Sequence, residues 1–189
     1  MSEKLKVGFI GLGAMGEPMA GHLDAAGLLT VVGNRSLAKA QLLAEKFSVN
    51  AAHACHYFSD CDAVVLCVSR DDDVLENVNA LAAVLKAGAL VVDHSTVSMD
   101  TARQAEKILA ARKIGFIDAP VSGGVEGARN GKLSIMVGGS EENLEKVRPV
   151  LNAYAAKITH MGDTGAGQAT KAVNQVLVAG IAQAVCEGL

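Results

Sequence analysis

The 189 residues carry 17 Lys and Arg against 20 Asp and Glu, a net charge of −3, and half of them are hydrophobic. With a pI near 5.9 and no basic cluster to meet phosphates, the chain is not expected to bind nucleic acid. The polar start argues against a signal peptide, no apolar run is long and clean enough for a bilayer, and Cys55, Cys61, Cys67 and Cys186 form neither a C-x-x-C pair nor a metal-ligand spacing. The expectation is therefore a cytoplasmic protein, reduced and metal-free, with no membrane partner.

The first strand, around Val7, Phe9 and Ile10, runs into glycines 11, 13 and 16 in G-x-G-x-x-G spacing, and an amphipathic stretch follows at once. In a dinucleotide site Gly11 makes the tight turn, Gly13 lets the backbone approach a pyrophosphate, and Gly16 lets the helix pack on the strand. The amides of Leu12, Ala14 and Met15 belong to the same turn, where a helix N-terminus favours an anion. A helix is expected over Pro18–Ala26, then a strand over Leu28–Gly33, a helix capped by Ser36, and a short strand near Val49–Ala51.

Residues 63–68 are a continuous apolar run, as in a strand buried on both faces of a parallel sheet, with Cys67 read as packing. Helices follow over 74–85, 98–111 and 141–151, and strands over 89–93, 115–119, 133–137 and 157–160. Asp71, Asp72 and Asp73 read as a charged helix start rather than a metal site. From Gln168 the pattern is a single helix, still running at Leu189. The alternation gives a Rossmann-type α/β fold, a doubly wound and mainly parallel sheet with right-handed crossovers. Residues 1–163 form the dinucleotide-binding unit, and 164–189 start a helix expected to lead to an all-α domain.

Sites of this kind usually end the second strand with Asp or Glu, which accept hydrogen bonds from the ribose hydroxyls. Here the segment is Asn34-Arg35-Ser36, with Lys39 one turn later and no acid before Glu45. A guanidinium can grip a 2′-phosphate that a carboxylate would repel, so NADP(H) is favoured, with NAD(H) possible. The alternative is a solvent-facing arginine beside an ordinary capping serine. His22, His53 and His56 read as surface residues, and His94 and His160 as structural ones at strand ends.

Two later clusters go beyond the nucleotide fold. In Asp118-Ala119-Pro120-Val121-Ser122-Gly123-Gly124, at a strand's carboxyl end, Ser122 offers a hydroxyl and Gly123 and Gly124 offer amides, a plausible carboxylate cradle or simply a glycine-rich turn. In the second, Lys171 and Asn174 share a helix face. A lysine among small apolar neighbours either extends to solvent or serves as a proton donor and acceptor once its pKa falls.

The ordered motifs F-I-G-L-G-x-M-G-x-P-M-A, D-H-S-T, D-A-P-V-S-G-G-x-x-G-A and G-x-G-x-x-x-K-x-x-N resemble the β-hydroxyacid dehydrogenases, across essentially the whole chain. That family includes 3-hydroxyisobutyrate dehydrogenase, tartronate semialdehyde reductase and the glyoxylate/succinic semialdehyde reductases; Asn34-Arg35-Ser36 looks most like the NADPH-using last branch. The resemblance implies hydride transfer between nicotinamide and a small hydroxy acid or its semialdehyde or keto form. By it, Lys171 is the catalytic acid/base, Asn174 orients the substrate, Ser122, Gly123 and Gly124 hold its carboxylate, and Val68, Ser69, Asp73 and Thr96 line the cofactor. It also implies a helical second domain, which closes the cleft and builds a homo-oligomer. Met99 departs from the family's usual proline. Val173 stands where 6-phosphogluconate dehydrogenase has a histidine, so that enzyme ranks low. The alternatives are a cofactor-binding domain without catalysis and an NAD-dependent 3-hydroxyisobutyrate dehydrogenase.

Overall fold

A computed structural model describes residues 4–188, so the outer limits of the two expected units, at residues 1 and 189, lie outside the described residues. Five parallel strands come first: β1 (Val7–Ile10), β2 (Leu29–Gly33), β3 (Asn50–Ala51), β4 (Ala63–Leu66) and β5 (Leu90–Asp93), joined by a sixth, β6 (Gly115–Asp118). Then come β7 (Val121–Ser122), β8 (Leu133–Gly138) and β9 (Ala155–Gly162). The sheet order is β3-β2-β1-β4-β5-β6-β8-β7, with β9 paired parallel to β8. The sheet is mainly parallel, as expected, but β8 runs antiparallel to both β6 and β7.

Alternation within each apolar strand produces the layers. Phe9, Val32, Val65 and Val92 enter one core with Met19, Leu23, Leu43 and Tyr154. Their neighbours Ile10, Val31, Val64 and Val91 enter the other with Phe58, Val78, Leu109 and Phe116. A strand buried on both faces has no polar side to show, which explains the unbroken apolar runs. The covering helices are α1 (Gly16–Ala25), α2 (Leu37–Phe47), α3 (Asp71–Ala82), α4 (Met99–Ala110), α5 (Gly124–Arg129) and α6 (Glu141–Leu151). The chain then enters α7 (Ala166–Gly188).

The boundaries differ from expectation where local chemistry decides. α1 starts at Gly16 rather than Pro18, since proline is tolerated within a first turn. The three aspartates form the first turn of α3, so it starts at Asp71 rather than Val74. β4 stops at Leu66, which puts Cys67 past the strand, its amide donating to the Ile10 carbonyl. β9 is longer than expected, α7 starts at Ala166, and three short elements were not anticipated: β7, α5 and a 3₁₀ turn at Cys55–Phe58. Ser98 and Ser140 cap α4 and α6 by accepting from the amides of Thr101 and Asn143. His22, expected at the surface, is half-buried: its Nε2 faces the carbonyls of Ala128 (3.0 Å) and Arg129 (3.1 Å) and ties α1 to α5. His94 and His160 do have structural partners, the Ala119 carbonyl and Tyr154 hydroxyl for the first and the Gly139 carbonyl for the second.

Candidate functional site

The turn between β1 and α1 has the three glycine geometries that the spacing implies. Gly11 has φ +98°, and a Cβ there would lie 2.1 Å from the Cys67 carbonyl oxygen. A Cβ on Gly16 would lie 1.8 Å from the Gly11 carbonyl oxygen. Around Gly13, by contrast, the Cβ position is open to 4 Å. The Gly11 amide donates to the Gly33 carbonyl and the Leu12 amide to Asn34 Oδ1 (3.1 Å). The amides of Gly13, Ala14, Met15 and Gly16 meet no acceptor among the described residues. Four unpaired donors at a helix start, beside an open approach, suit a pyrophosphate.

The turn borders a cleft of about 600 Å³ at the carboxyl ends of the parallel strands. Eight expected residues line it: Gly11, Gly13, Asn34, Arg35, Ser36, Val68, Ser69 and Asp73. Ser36 occupies the N-cap position of α2, but its hydroxyl does not cap the helix, so it stays free beside the exposed Arg35. No hydrogen bond or ion pair fixes the Arg35 guanidinium among the described residues. Asp73 is held by Arg70 (2.9 Å), whose hydrogen bond lowers the carboxyl pKa.

Other expected residues fall outside the cleft. Leu12 is fully buried in the core, so only its backbone belongs to the turn. Lys39 pairs with Glu17 of α1 at 3.5 Å, and Thr96 is exposed beyond β5. Asn34 lines the cleft, but its side chain is engaged, accepting from Leu12 and donating to the Ser36 carbonyl. His53, Cys55, Glu76 and Asn77 also line the cleft and were not anticipated.

The second set of candidates lies further along the sheet edge. Gly123 and Gly124 have φ +127° and +61°, both exposed, and the Cβ position of Gly124 is open. β8 links this set to the lysine: it pairs with β7, which carries Ser122, and it packs against α7. Lys171 is only 9% exposed and has no hydrogen bond or ion pair among the described residues. Burial pulls its ammonium pKa below the ordinary lysine range. Asn174, one turn on, is half-buried and touches only the neighbouring Gln175 side chain by hydrogen bond, at 3.5 Å.

Four residues beneath these sites stand inside the quoted motifs, but no role was read for them there. Asp118, at the end of β6, accepts from the amides of Gly165 (2.7 Å) and Gln168 (2.8 Å) and thereby caps α7. The Gln168 side chain accepts from the Val97 amide (3.2 Å) and donates to the Ser95 carbonyl (2.8 Å). The Ser95 hydroxyl takes the Val68 amide (2.9 Å), and the Ser95 amide donates to Asp93 Oδ1 (2.9 Å). Asp93 Oδ2 is the buried side-chain oxygen left without a partner among the described residues. Burial pushes the Asp93 carboxyl up to about 7, and burial also raises Asp118 against the pull of its amide donors. The available signal was an acid closing an apolar strand, LVVD and GFID.

Among the described residues there is no cluster able to hold a metal, no helix long and apolar enough to cross a membrane, and no disulfide between the four cysteines. Residues 6–162 match the family described as the NAD binding domain of 6-phosphogluconate dehydrogenase. An uncharacterized oxidoreductase of Shewanella frigidimarina is 43% identical over 97% of this chain and 65% of its own length. The 2-(hydroxymethyl)glutarate dehydrogenase of Eubacterium barkeri is 37% identical over all of this chain and again 65% of its own. The structure of Mycobacterium tuberculosis 3-hydroxyisobutyrate dehydrogenase with L-serine superposes with a TM-score of 0.89 at 33% identity, covering 94% of this chain and 61% of that one. The chain thus spans about 65% of the length of these curated relatives. With the open amides, the glycine geometry and the cleft, these likenesses place the chain in the family of NAD(P)-binding domains of 6-phosphogluconate and 3-hydroxyisobutyrate dehydrogenase type.

Proposed function

We propose that the chain is the nucleotide-binding part of an NADP(H)-dependent oxidoreductase acting on a small hydroxy acid or its semialdehyde or keto form. The observation that carries the cofactor reading is the free Arg35 and Ser36 at the end of a β2 that lacks an acid, beside unpaired amides. Gly13–Gly16 would hold the pyrophosphate, Arg35 and Ser36 the 2′-phosphate, and Val68, Ser69, Asp73 and Thr96 the remainder of the dinucleotide. When bound, the nicotinamide supplies or accepts the hydride at C4. Ser122, Gly123 and Gly124 orient the substrate carboxylate, and Asn174 the hydroxyl-bearing carbon. In the reducing direction the Lys171 ammonium hydrogen-bonds the carbonyl oxygen and gives it a proton as the alkoxide develops. A lowered pKa makes that ammonium the stronger acid. Residues 1–163 then belong to the nucleotide unit, and 164–189, which contain α7, to a segment leading toward a substrate-closing domain. A cytoplasmic, homo-oligomeric enzyme fits the unpaired cysteines and the exposed Val173, Val176, Leu177 and Ile181 of α7.

Calorimetric titration with NADPH and NADH tests this reading. We expect NADPH to bind more tightly and Arg35→Ala to weaken it about tenfold while leaving NADH within about threefold, as loss of a charge-assisted bond predicts. Equal or tighter NADH binding by the unaltered chain would replace the cofactor assignment with the NAD-dependent alternative. In a protein carrying the full relatives' length, normal turnover of Lys171→Ala would remove the acid from Lys171.

A further inference from the structure

The lysine that the proposed chemistry depends on has no side-chain hydrogen bond or ion pair among the described residues, so its place is set by the helix that carries it. α7 meets the sheet only through its first turn and a half: Gly167, Gln168 and Lys171 are its buried residues. Everything from Gln175 to Gly188 is exposed. That short contact is tied down from two directions. Asp118 receives the amides of Gly165 and Gln168, from 47 and 50 residues away in sequence. The fit is close, because a Cβ on Gly167 would lie 2.8 Å from Asp118 Oδ2 and 2.5 Å from the Met136 carbonyl oxygen. The Gln168 side chain bridges to Val97 and Ser95 in the loop after β5. Ser95 in turn holds the amide of Val68 in the nucleotide cleft.

We propose that Asp118 and Gln168 are positioning residues for Lys171: the carboxylate seats the first turn of α7, the amide side chain locks it to the Ser95 loop, and together they keep the lysine in its buried place in register with the nucleotide cleft. This rests on the reading of Lys171 as the acid. Neither residue touches a reacting atom. Gln168 lies three residues before Lys171, so any fraying of the Asp118 cap unwinds the turn that buries the lysine. The arrangement also separates two tasks. The carboxylate that caps α7 belongs to the protein, whereas the start of α1 is left open to a ligand.

The test is a proton titration of Lys171 in the 189-residue chain, by reductive ¹³C-methylation and NMR, with Lys171→Arg to assign the signal. In the unaltered chain the Lys171 midpoint should lie below those of exposed lysines. Asp118→Asn keeps the shape but weakens the cap, and Gln168→Ala removes the bridge while leaving the cap intact. Each should raise the midpoint toward those of the exposed lysines, as the lysine regains water. Nucleotide affinity should stay within about threefold, since the Gly11–Gly16 turn is untouched. If a folded variant melts at lower temperature but leaves the midpoint unchanged, the two residues are merely structural and the proposal falls. A fall in the midpoint on Asp118→Asn also overturns it, assigning the carboxylate a through-space effect instead. Should Asp118→Asn fail to fold, Gln168→Ala decides alone. A midpoint level with the exposed lysines in the unaltered chain would overturn the proposal and remove the lowered acidity from the functional reading, which still stands or falls separately on the Lys171→Ala turnover.

Discussion

Two helices start at the carboxyl ends of the parallel strands, and their first turns are completed in opposite ways. At α1 the amides of Gly13, Ala14, Met15 and Gly16 meet no acceptor among the described residues, while at α7 the amides of Gly165 and Gln168 already hold the Asp118 carboxylate. Both ends carry the same partial positive charge and the same orphan donors. What differs is who supplies the anion. An open end recruits it from solution and is a binding site, whereas a filled end is scaffold and fixes whatever the helix carries. Here the filled end carries Lys171.

The largest effect that would break this comparison is at the closure of the open turn. Gly16→Ala places a methyl 1.8 Å from the Gly11 carbonyl oxygen and 3.0 Å from the Phe9 ring, so α1 must lift from β1. Urea unfolding should show a loss of about 3 kcal/mol or more, at or above the upper end of the usual overpacking cost, because the atom met is backbone. A loss below about 1 kcal/mol would mean that the turn closes some other way, and the open amides would lose their geometric basis.

The open end was legible in the sequence and the filled end was not, for a physical reason. The glycines, the strand before them and the helix after them lie within fifteen residues, and each requirement acts on the residue that meets it. The serine caps at Ser98 and Ser140 are equally local but were not read as caps, and the serine cap that was expected, Ser36, does not form. Asp118 caps a helix that begins some fifty residues later, and no local pattern encodes that pairing. The same distance effect explains Asn34, which lines the cleft but has its side-chain oxygen engaged by the Leu12 amide. It explains Lys39 too, which Glu17 takes from the neighbouring helix. β7 and α5 were missed because two strand residues and six helical ones give no readable period.

A smaller effect probes the acids beneath the filled end. Asp93 stands opposite Asp118 in the β5–β6 register. Burial, then the charges of Asp118 and Asp71, raise its carboxyl from 3.8 to about 7, against the hydrogen bonds from Ser95. Between those values the folded chain holds a proton that the unfolded chain has released. Its contribution to stability is therefore complete at low pH and is lost as the pH rises toward 7. Asp93→Asn keeps an acceptor for the Ser95 amide but cannot titrate. The stability of the unaltered chain relative to this variant should fall by roughly 3 kcal/mol between pH 4 and 7 in urea titrations. A flat difference would mean that Asp93 stays ionised in the fold and that the filled end stands over a charge.

The smallest change in stability should come with a large change in binding, at Gly13. Its Cβ position is open to 4 Å and its φ is not among the positive ones, so an alanine meets neither a clash nor a strained backbone. Gly13→Ala should unfold within about 0.5 kcal/mol of the unaltered chain. The added methyl nevertheless stands where a pyrophosphate has to approach the amides, and nucleotide affinity should fall at least about tenfold, or ~1.4 kcal/mol. Set beside Gly16→Ala, the pair separates space that the fold needs from space that a ligand needs. If Gly13→Ala lost stability as well, the opening would be packing that tightens in solution. If it changed neither property, the anion would have to enter elsewhere, and α1 would be a helix whose start faces only water.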